Sequence, residues 1–109
     1  MPKNKYNLAV IGGGPAGMMA AARAGELGSR VILLEKNTQL GTKLLITGKG
    51  RCNITNAEED LKKLVNIYGS NGKFLYSALN KFSNQDVVNF FEKFGLKTKI
   101  ERGNRVFPV

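Results

Sequence analysis

The feature that most constrains the fold of this chain is a run of glycines between a strand-like segment and a helix-like segment. Residues 6–11 are apolar and strand-like, and residues 12–17 read Gly-Gly-Gly-Pro-Ala-Gly. Small residues at 18–27 favour a helix, and a second apolar strand at 30–34 is followed by Glu35. The order of strand, glycine turn, helix, strand and acid is typical of a βαβ unit that binds a dinucleotide.

Each small residue of the turn has a predicted task. Gly12 permits a tight turn out of the strand, Gly14 lets the backbone approach a pyrophosphate, and Gly17 lets the helix pack closely on the sheet. Pro15 suits the first helical turn because the N–H that it lacks would have no partner there. The remaining N–H groups and the helix dipole are predicted to face the phosphates.

Glu35 refines the type of dinucleotide. It lies 18 residues after Gly17, close to the distance of about 20 expected for the acid that binds a ribose. A carboxylate there accepts hydrogen bonds from ribose hydroxyls and repels a 2′-phosphate, so an NADP-type adenosine end is not expected. The alternative is an ordinary strand-to-helix turn of an α/β domain, but the combined order of elements favours dinucleotide binding.

The rest of the chain predicts further helices and a strand pair. We expect a loop-rich stretch at 36–56, followed by a helix that starts near Asn56 with Glu59 in its capping box. A turn at 68–72 and a helix at 73–82 come next. The last helix is expected to begin at a Ser83–Asp86 capping box and to end at Gly95, and strands are expected at 96–101 and 105–109. We expect the apolar stripe of the last helix, Val87, Val88, Phe90, Phe91 and Phe94, to pack in a core. Because the chain ends on an apolar segment, residues 1–109 are predicted to be the N-terminal portion of a longer domain.

The composition of the chain limits the classes of partner that are expected. The net charge is +9 with no histidine, but the basic residues are dispersed and no zinc-finger or RNA-binding motif is present, so no nucleic-acid partner is expected. Cys52 is the single cysteine, which excludes an intrachain disulfide and fits a reducing, cytoplasmic location. No segment is apolar for long enough to predict a signal sequence or a membrane span. No metal site is predicted, and the oligomeric state is left open.

A second motif lies at residues 41–56. It is rich in glycine, basic and polar, and it follows Glu35 where ligands of open α/β sheets bind. Glycines here permit close backbone approach, basic side chains can neutralise a phosphate or an anionic ring, and Thr47 and Asn53 can hydrogen-bond a polar heterocycle. The motif is therefore predicted to be a second contact segment for the same large cofactor.

Three segments together resemble a known family. They are Val10–Gly17, Lys43–Asn56 with its TGxGRCNxTN core, and Glu101–Pro108. The first is shared by many flavoproteins, whereas the second is highly specific. On these residues, essentially the whole chain resembles the N-terminus of the BaiN-like bacterial FAD/NAD(P)-dependent oxidoreductases, some of which are called aminoacetone-oxidase-like flavoproteins.

The resemblance implies the N-terminal part of a Rossmann-like FAD-binding domain, with the rest of that domain and the substrate domain absent from these residues. It implies FAD as the cofactor, NAD(P)H as the electron donor, and hydride transfer by way of FAD to an organic small molecule or to oxygen. The cofactor-binding residues that it implies are Gly12, Gly14, Pro15, Ala16 and Gly17 at the pyrophosphate, Glu35 and Lys36 at the ribose, and Lys43, Thr47, Gly48, Gly50, Arg51, Cys52 and Asn53 toward the flavin.

Several alternatives stay open. No residue stands out as a catalytic acid or base. Cys52 is expected to be a packing residue rather than a reactive thiol beside the flavin, because no histidine or second cysteine is present to activate it. Arg51 is either a cation near the flavin or a structural arginine paired with an acid. The rival functions are an NAD-binding dehydrogenase domain and a flavoprotein that acts in RNA modification or binds nucleic acid.

Overall fold

The structure is a computed structural model that describes residues 5–109. Its contacts divide the chain into two compact units. The first unit ends at Gly50 and the second is Arg51–Val109. Among the described residues, no helix has the length and apolar character needed to cross a membrane.

The first unit contains the predicted βαβ order. Strand β1 (Leu8–Ile11) and strand β2 (Val31–Leu34) are parallel and in register along their whole length. Helix α1 (Pro15–Glu26) connects them and begins three residues before the predicted helix, since Pro15 occupies a first-turn position. After α1, the N–H groups of Gly28 and Ser29 donate to helix carbonyls, so that the chain leaves the helix in a regular C-terminal cap. The prediction of the βαβ unit is confirmed.

The stretch at 36–56 that was predicted to be rich in loops also contains a helix and a two-residue strand. Residues 42–50 form helix α2 (Thr42–Gly50), which is interrupted by non-helical dihedral angles at Thr47, Gly48 and Lys49. The apolar residues at 44–46 belong to the regular helical turn of α2. This turn was not predicted, because the glycines on both sides of it are typical of a loop. Helix α2 therefore consists of a short regular turn followed by a left-handed segment.

The second unit contains an antiparallel sheet. Its strands are β3 (Thr55–Asn56), β4 (Thr98–Glu101) and β5 (Arg105–Pro108), with β5 in the middle. The β4–β5 hairpin confirms the predicted strand pair. Strand β3 was not predicted, because two residues carry no periodic signal and their conformation depends on pairing with Val106 and Arg105.

The helices of the second unit depart from the prediction at their N-termini. Helix α3 (Leu61–Ile67) is capped by Asp60, whose carboxylate accepts from two backbone N–H groups, and not by a box from Asn56 to Glu59. Asn56 lies in strand β3, so it cannot also begin the helix. The predicted turn at 68–72 is part of a 3-10 helix (Gly69–Leu75), so that helix α4 (Tyr76–Lys81) starts three residues later than expected.

Helix α5 (Asn84–Lys93) has the predicted capping box, in which Ser83 and Asp86 exchange hydrogen bonds. Gly95 follows with a φ of 87° and ends the helix, as predicted. The expectation that the aromatic stripe forms a core is wrong for the described residues. Phe94 is 65% exposed and the other stripe residues are half-buried, whereas the buried apolar side chains are Leu64, Val65, Val106 and Phe107.

Candidate dinucleotide-binding site

In the glycine turn of the first unit, the backbone geometry requires glycine at Gly12 and Gly17 but not at Gly14. Gly12 has a φ of 100°, which disfavours any side chain. A Cβ atom at Gly17 would collide with the carbonyl oxygen of Gly12, whereas a Cβ at Gly14 would have nothing within 4 Å. Gly14 has extended backbone that any residue adopts. The open space beside Gly14 is the feature expected where a ligand approaches the backbone.

The N-terminus of α1 is suited to an anion. Helix α1 starts at Pro15, its N-cap is Gly14, and no side chain caps it. Its first turn holds no acidic residue, so no carboxylate of the helix itself opposes the positive end of the helix dipole. Pro15 and Ala16 are exposed. A phosphate group could therefore be bound by backbone N–H groups at this end of the helix.

Glu35 is joined directly to the glycine turn. Its two carboxylate oxygens accept from the N–H of Gly13 at 2.9 Å and the N–H of Asn37 at 2.7 Å. These two bonds, the Asn37 bond first, hold the pKa of Glu35 below its ordinary value, and the charge of Lys36 adds to this. Each carboxylate oxygen can accept a further hydrogen bond. Glu35 therefore organises the turn and keeps acceptor capacity for ribose hydroxyls.

Gly13 was not among the predicted site residues. Gly13 is buried, and its carbonyl oxygen accepts from the N–H of Gly41 at 2.8 Å, in addition to the bond that it donates to Glu35. A Cβ at Gly13 would collide with the side chain of Leu40. Its position as the middle glycine of a run of three was the available signal. Gly13 links the turn both to Glu35 and to the start of α2.

The part of the second motif in the first unit lies on α2. Lys43 is exposed, and the Thr47 hydroxyl donates to the carbonyl of Leu44 at 2.8 Å. Gly48, Lys49 and Gly50 all have left-handed backbone. Thr47 therefore ends the regular turn of α2, a structural role that was not predicted for it.

Arg51, at the start of the second unit, is held by an acid and a ring. Its Nη1 donates to both carboxylate oxygens of Glu101 at 3.0 Å, and its guanidinium carbon lies 4.3 Å from the ring centroid of Phe107. Lys99 also pairs with Glu101, at 3.1 Å. Hydrogen bonds from Lys99 and then Arg51 lower the pKa of Glu101. Of the two roles predicted for Arg51, the structure shows the arginine that is paired with an acid.

Asn53 has an unsatisfied acceptor. Its Oδ1 is buried and has no hydrogen-bond partner among residues 5–109, an arrangement that is uncommon in folded proteins. Asn53 lines a cleft of about 320 Å³ together with Thr55, Leu64 and Tyr68. Cys52, beside it, is half-buried with a φ of 61°. An acceptor of this kind fits a ligand that brings an N–H or O–H donor.

Comparison with known proteins identifies relatives for nearly the whole chain. The family model described as HI0933-like protein Rossmann domain matches residues 6–109. The chain is 35% identical over 103 residues to a 3-dehydro-bile acid delta(4,6)-reductase of Clostridium scindens, which covers 93% of this chain and 24% of that protein. It is 35% identical over 92 residues to a ribosomal RNA dihydrouridine synthase of Escherichia coli, which covers 84% of this chain and 22% of that protein.

A ribosomal RNA dihydrouridine synthase of Haemophilus influenzae is 32% identical over 87 residues, or 80% of this chain and 21% of that protein. The chain thus spans less than a quarter of the length of each of these relatives. Its α/β architecture, with parallel β1 and β2 around the glycine turn, agrees with a Rossmann domain. The resemblance inferred from the motifs is confirmed, and the chain belongs to the HI0933-like Rossmann domain family.

Proposed function

We propose that this chain is the FAD-binding segment of a flavin-dependent oxidoreductase. The observation that carries the proposal is the family match over residues 6–109, which includes a glycine turn whose Gly14 faces open space. The name of the Clostridium relative, a reductase, supports redox chemistry. The motifs at Val10–Gly17 and Lys43–Asn56 support FAD as the dinucleotide.

The residues of the first unit have defined tasks in this proposal. The N-terminal N–H groups of α1 bind the pyrophosphate, because Gly14 leaves room for it and no acidic residue of the first turn opposes it. Glu35 accepts hydrogen bonds from the ribose hydroxyls while it holds the N–H of Gly13. The bound flavin would supply hydride transfer between NAD(P)H and a small organic acceptor or oxygen, and the protein would supply orientation and charge.

The proposal is tested with protein expressed from the complete gene and purified without added cofactor. We expect a yellow preparation, with visible absorbance that denaturation releases as FAD in stoichiometric amount. A colourless protein that takes up no added FAD would overturn the proposal. Uptake of NAD in place of FAD, measured by calorimetry, would favour the NAD-binding dehydrogenase alternative.

A second candidate function is flavin-dependent modification of ribosomal RNA. Two relatives that cover 84% and 80% of this chain are named ribosomal RNA dihydrouridine synthases. A match of 92 residues in a chain of 109 necessarily spans residues 47–56, so this relative is aligned with the chain through the second motif. The net charge of +9 is compatible with an RNA substrate.

The two candidates are separated by their acceptors. The protein reduced with NADH or NADPH is mixed either with a 3-dehydro bile acid that carries the 4,6-diene or with unmodified ribosomal RNA, and reoxidation is followed by absorbance. Reoxidation by the steroid alone supports a small-molecule oxidoreductase. Dihydrouridine in the RNA, together with binding that weakens steeply with salt, supports the RNA candidate.

A further inference from the structure

Gly41 connects the start of helix α2 to the glycine turn within the first unit. Its N–H donates to the carbonyl oxygen of Gly13 at 2.8 Å. The N–H of Gly13 donates in turn to Oε1 of Glu35 at 2.9 Å. Both polar groups of Gly13 are therefore bound by other segments of the unit, one directly after β2 and one directly before α2. Gly13 and Gly41 are both buried, so water has little access to these bonds.

The position of Gly41 is defined by its own surroundings. Its φ is 69°, in the left-handed region that favours glycine. A Cβ atom here would lie 3.1 Å from the terminal methyl group of Met18 on α1, so a side chain would have little room. The carbonyl of Gly41 accepts from the N–H of Leu45 at 3.0 Å. Gly41 thus lies against α1 and at the same time begins the hydrogen bonding of α2.

The bond from Gly41 determines where the N–H of Gly14 points. The carbonyl of Gly13 and the N–H of Gly14 belong to one peptide group, which is planar and trans. The two groups of a trans peptide point in opposite directions, so the N–H of Gly14 points away from Gly41. Among residues 5–109 this N–H has no hydrogen-bond partner, and a Cβ at Gly14 would meet nothing within 4 Å. The N–H of Gly14 is therefore a donor of fixed direction beside open space.

We propose that Gly41 is a positioning residue for the pyrophosphate: through the carbonyl of Gly13, it directs the N–H of Gly14 at a phosphate oxygen of the bound dinucleotide. The inference rests on the proposed FAD binding and deepens it. Glu35 and Gly41 then fix the peptide groups on the two sides of Gly13 before the cofactor binds. A donor that is fixed in advance loses less conformational freedom on binding. Gly41 itself makes no contact with the cofactor.

Replacement of the N–H of Gly41 by an ester oxygen tests the proposal without adding a side chain. Glycolic acid is introduced at position 41 by stop-codon suppression during cell-free translation of the complete gene. The ester keeps the backbone freedom of glycine but cannot donate to Gly13. We expect FAD binding, measured by quenching of flavin fluorescence, to weaken by about tenfold, the size of effect known for groups that orient metal ligands. The ³¹P resonances of the bound pyrophosphate should also shift, which a loss of stability alone would not cause.

Leucic acid at position 45 is the matched control. This ester removes the bond from Leu45 to the carbonyl of Gly41 but leaves the N–H of Gly41 on Gly13. We expect both esters to unfold at a lower temperature than the wild type, since each lacks one backbone hydrogen bond. The control should nevertheless keep the FAD affinity and the ³¹P resonances of the wild type. Equal losses of affinity in the two esters would overturn the proposal, because they would show a general effect of the start of α2.

Hydrogen exchange of the wild-type protein is a second measurement, which decides the matter if the Gly41 ester does not fold. In protein labelled with ¹⁵N-glycine and stripped of flavin, we expect slow exchange of the Gly41 N–H and fast exchange of the Gly14 N–H, with Gly14 protected once FAD is bound. Fast exchange of Gly41 without FAD, or an unprotected Gly14 in the complex, would overturn the proposal. Wild-type protein that binds no FAD refutes the proposed function and this inference together, whereas FAD binding that the Gly41 ester leaves unchanged refutes this inference alone.

Discussion

The glycine turn of the first unit and the Arg51–Asn53 segment of the second are held in different ways. The turn is held by its backbone: Gly13 donates to Glu35 and accepts from Gly41, and the carbonyl of Gly12 leaves no space for a side chain at Gly17. The segment is held by side chains, through an ion pair and a buried ring. Backbone constraints leave glycines in the sequence, whereas side-chain constraints depend on partners that are distant along the chain.

The two regions therefore respond differently to substitution. In the turn, a single glycine such as Gly17 decides how closely α1 can pack on β1. In the segment, several residues share the constraint, so that the loss of one partner changes position before it changes stability. The variants below test this difference, from the largest expected effect to the smallest.

Gly17→Ala is expected to have the largest effect. The added Cβ would collide with the carbonyl oxygen of Gly12, so α1 must move away from β1, at a cost of about 1–3 kcal/mol. Bound FAD should be lost together with thermal stability. Thermal unfolding with and without FAD measures both.

Gly25→Ala in the same helix is the control for G17A. A Cβ at Gly25 has nothing within 4 Å, and glycine within a helix is about 0.5–1 kcal/mol less favourable than alanine. We expect G25A to unfold at a higher temperature than the wild type and to keep its FAD. A G17A variant as stable as G25A would show that the turn is not sterically fixed.

The same contrast explains how much of the fold could be predicted. The βαβ order, the Ser83–Asp86 box and the β4–β5 hairpin could be predicted because each depends on residues close together in sequence. Strand β3 could not, since Thr55 and Asn56 are extended through pairing with residues near 105. The regular turn of α2 could not either, because its flanking glycines outweighed the short apolar run.

The candidate site divides in the same way. The needs for glycine at Gly12 and Gly17 follow from local geometry and agree with the structure. The bond between Glu35 and Gly13 and the pairing of Arg51 with Glu101, 50 residues away, depend on the folded chain. No local sequence pattern predicts either of these two contacts. The sequence could name Arg51 but could not choose between its two roles.

Gly14→Ala separates ligand binding from folding within the turn. The backbone of Gly14 is extended and its Cβ direction is open, so we expect an unchanged unfolding temperature in the absence of FAD. FAD affinity should fall by about tenfold or more, equivalent to about 1.4 kcal/mol, because the methyl group occupies the space of the pyrophosphate. Fluorescence titration measures the affinity. Wild-type affinity in G14A would contradict the placement of the pyrophosphate at this position.

Glu35→Gln tests the charge at the turn through pH. The pKa of Glu35 is lowered from 4.5 by the N–H groups of Asn37 and Gly13. The carboxylate therefore stabilises the fold above pH 4.5, and this contribution is lost as the pH falls through the lowered value. We expect wild-type protein to unfold at a higher temperature than E35Q at neutral pH, with a difference that shrinks below pH 4.5.

Glu26→Gln is the control for E35Q. Glu26 forms an exposed ion pair with Arg23 on α1, and such pairs contribute little to stability. E26Q should follow the wild-type unfolding temperature across the same pH range. A difference between wild type and E35Q that does not change with pH would show that the charge of Glu35 is not what holds the turn.

Cys52→Ala is expected to have the smallest effect, and it tests a residue of the Arg51–Asn53 segment whose side chain takes no part in the contacts of Arg51. The backbone at Cys52 is held between Arg51 and Ile54, and its half-buried thiol has no assigned partner in the proposed site. FAD affinity and reduction of the flavin by NADPH should stay within about twofold of wild type, well below the tenfold that corresponds to 1.4 kcal/mol. A large loss of reduction rate with intact binding would instead place the thiol beside the reacting ring.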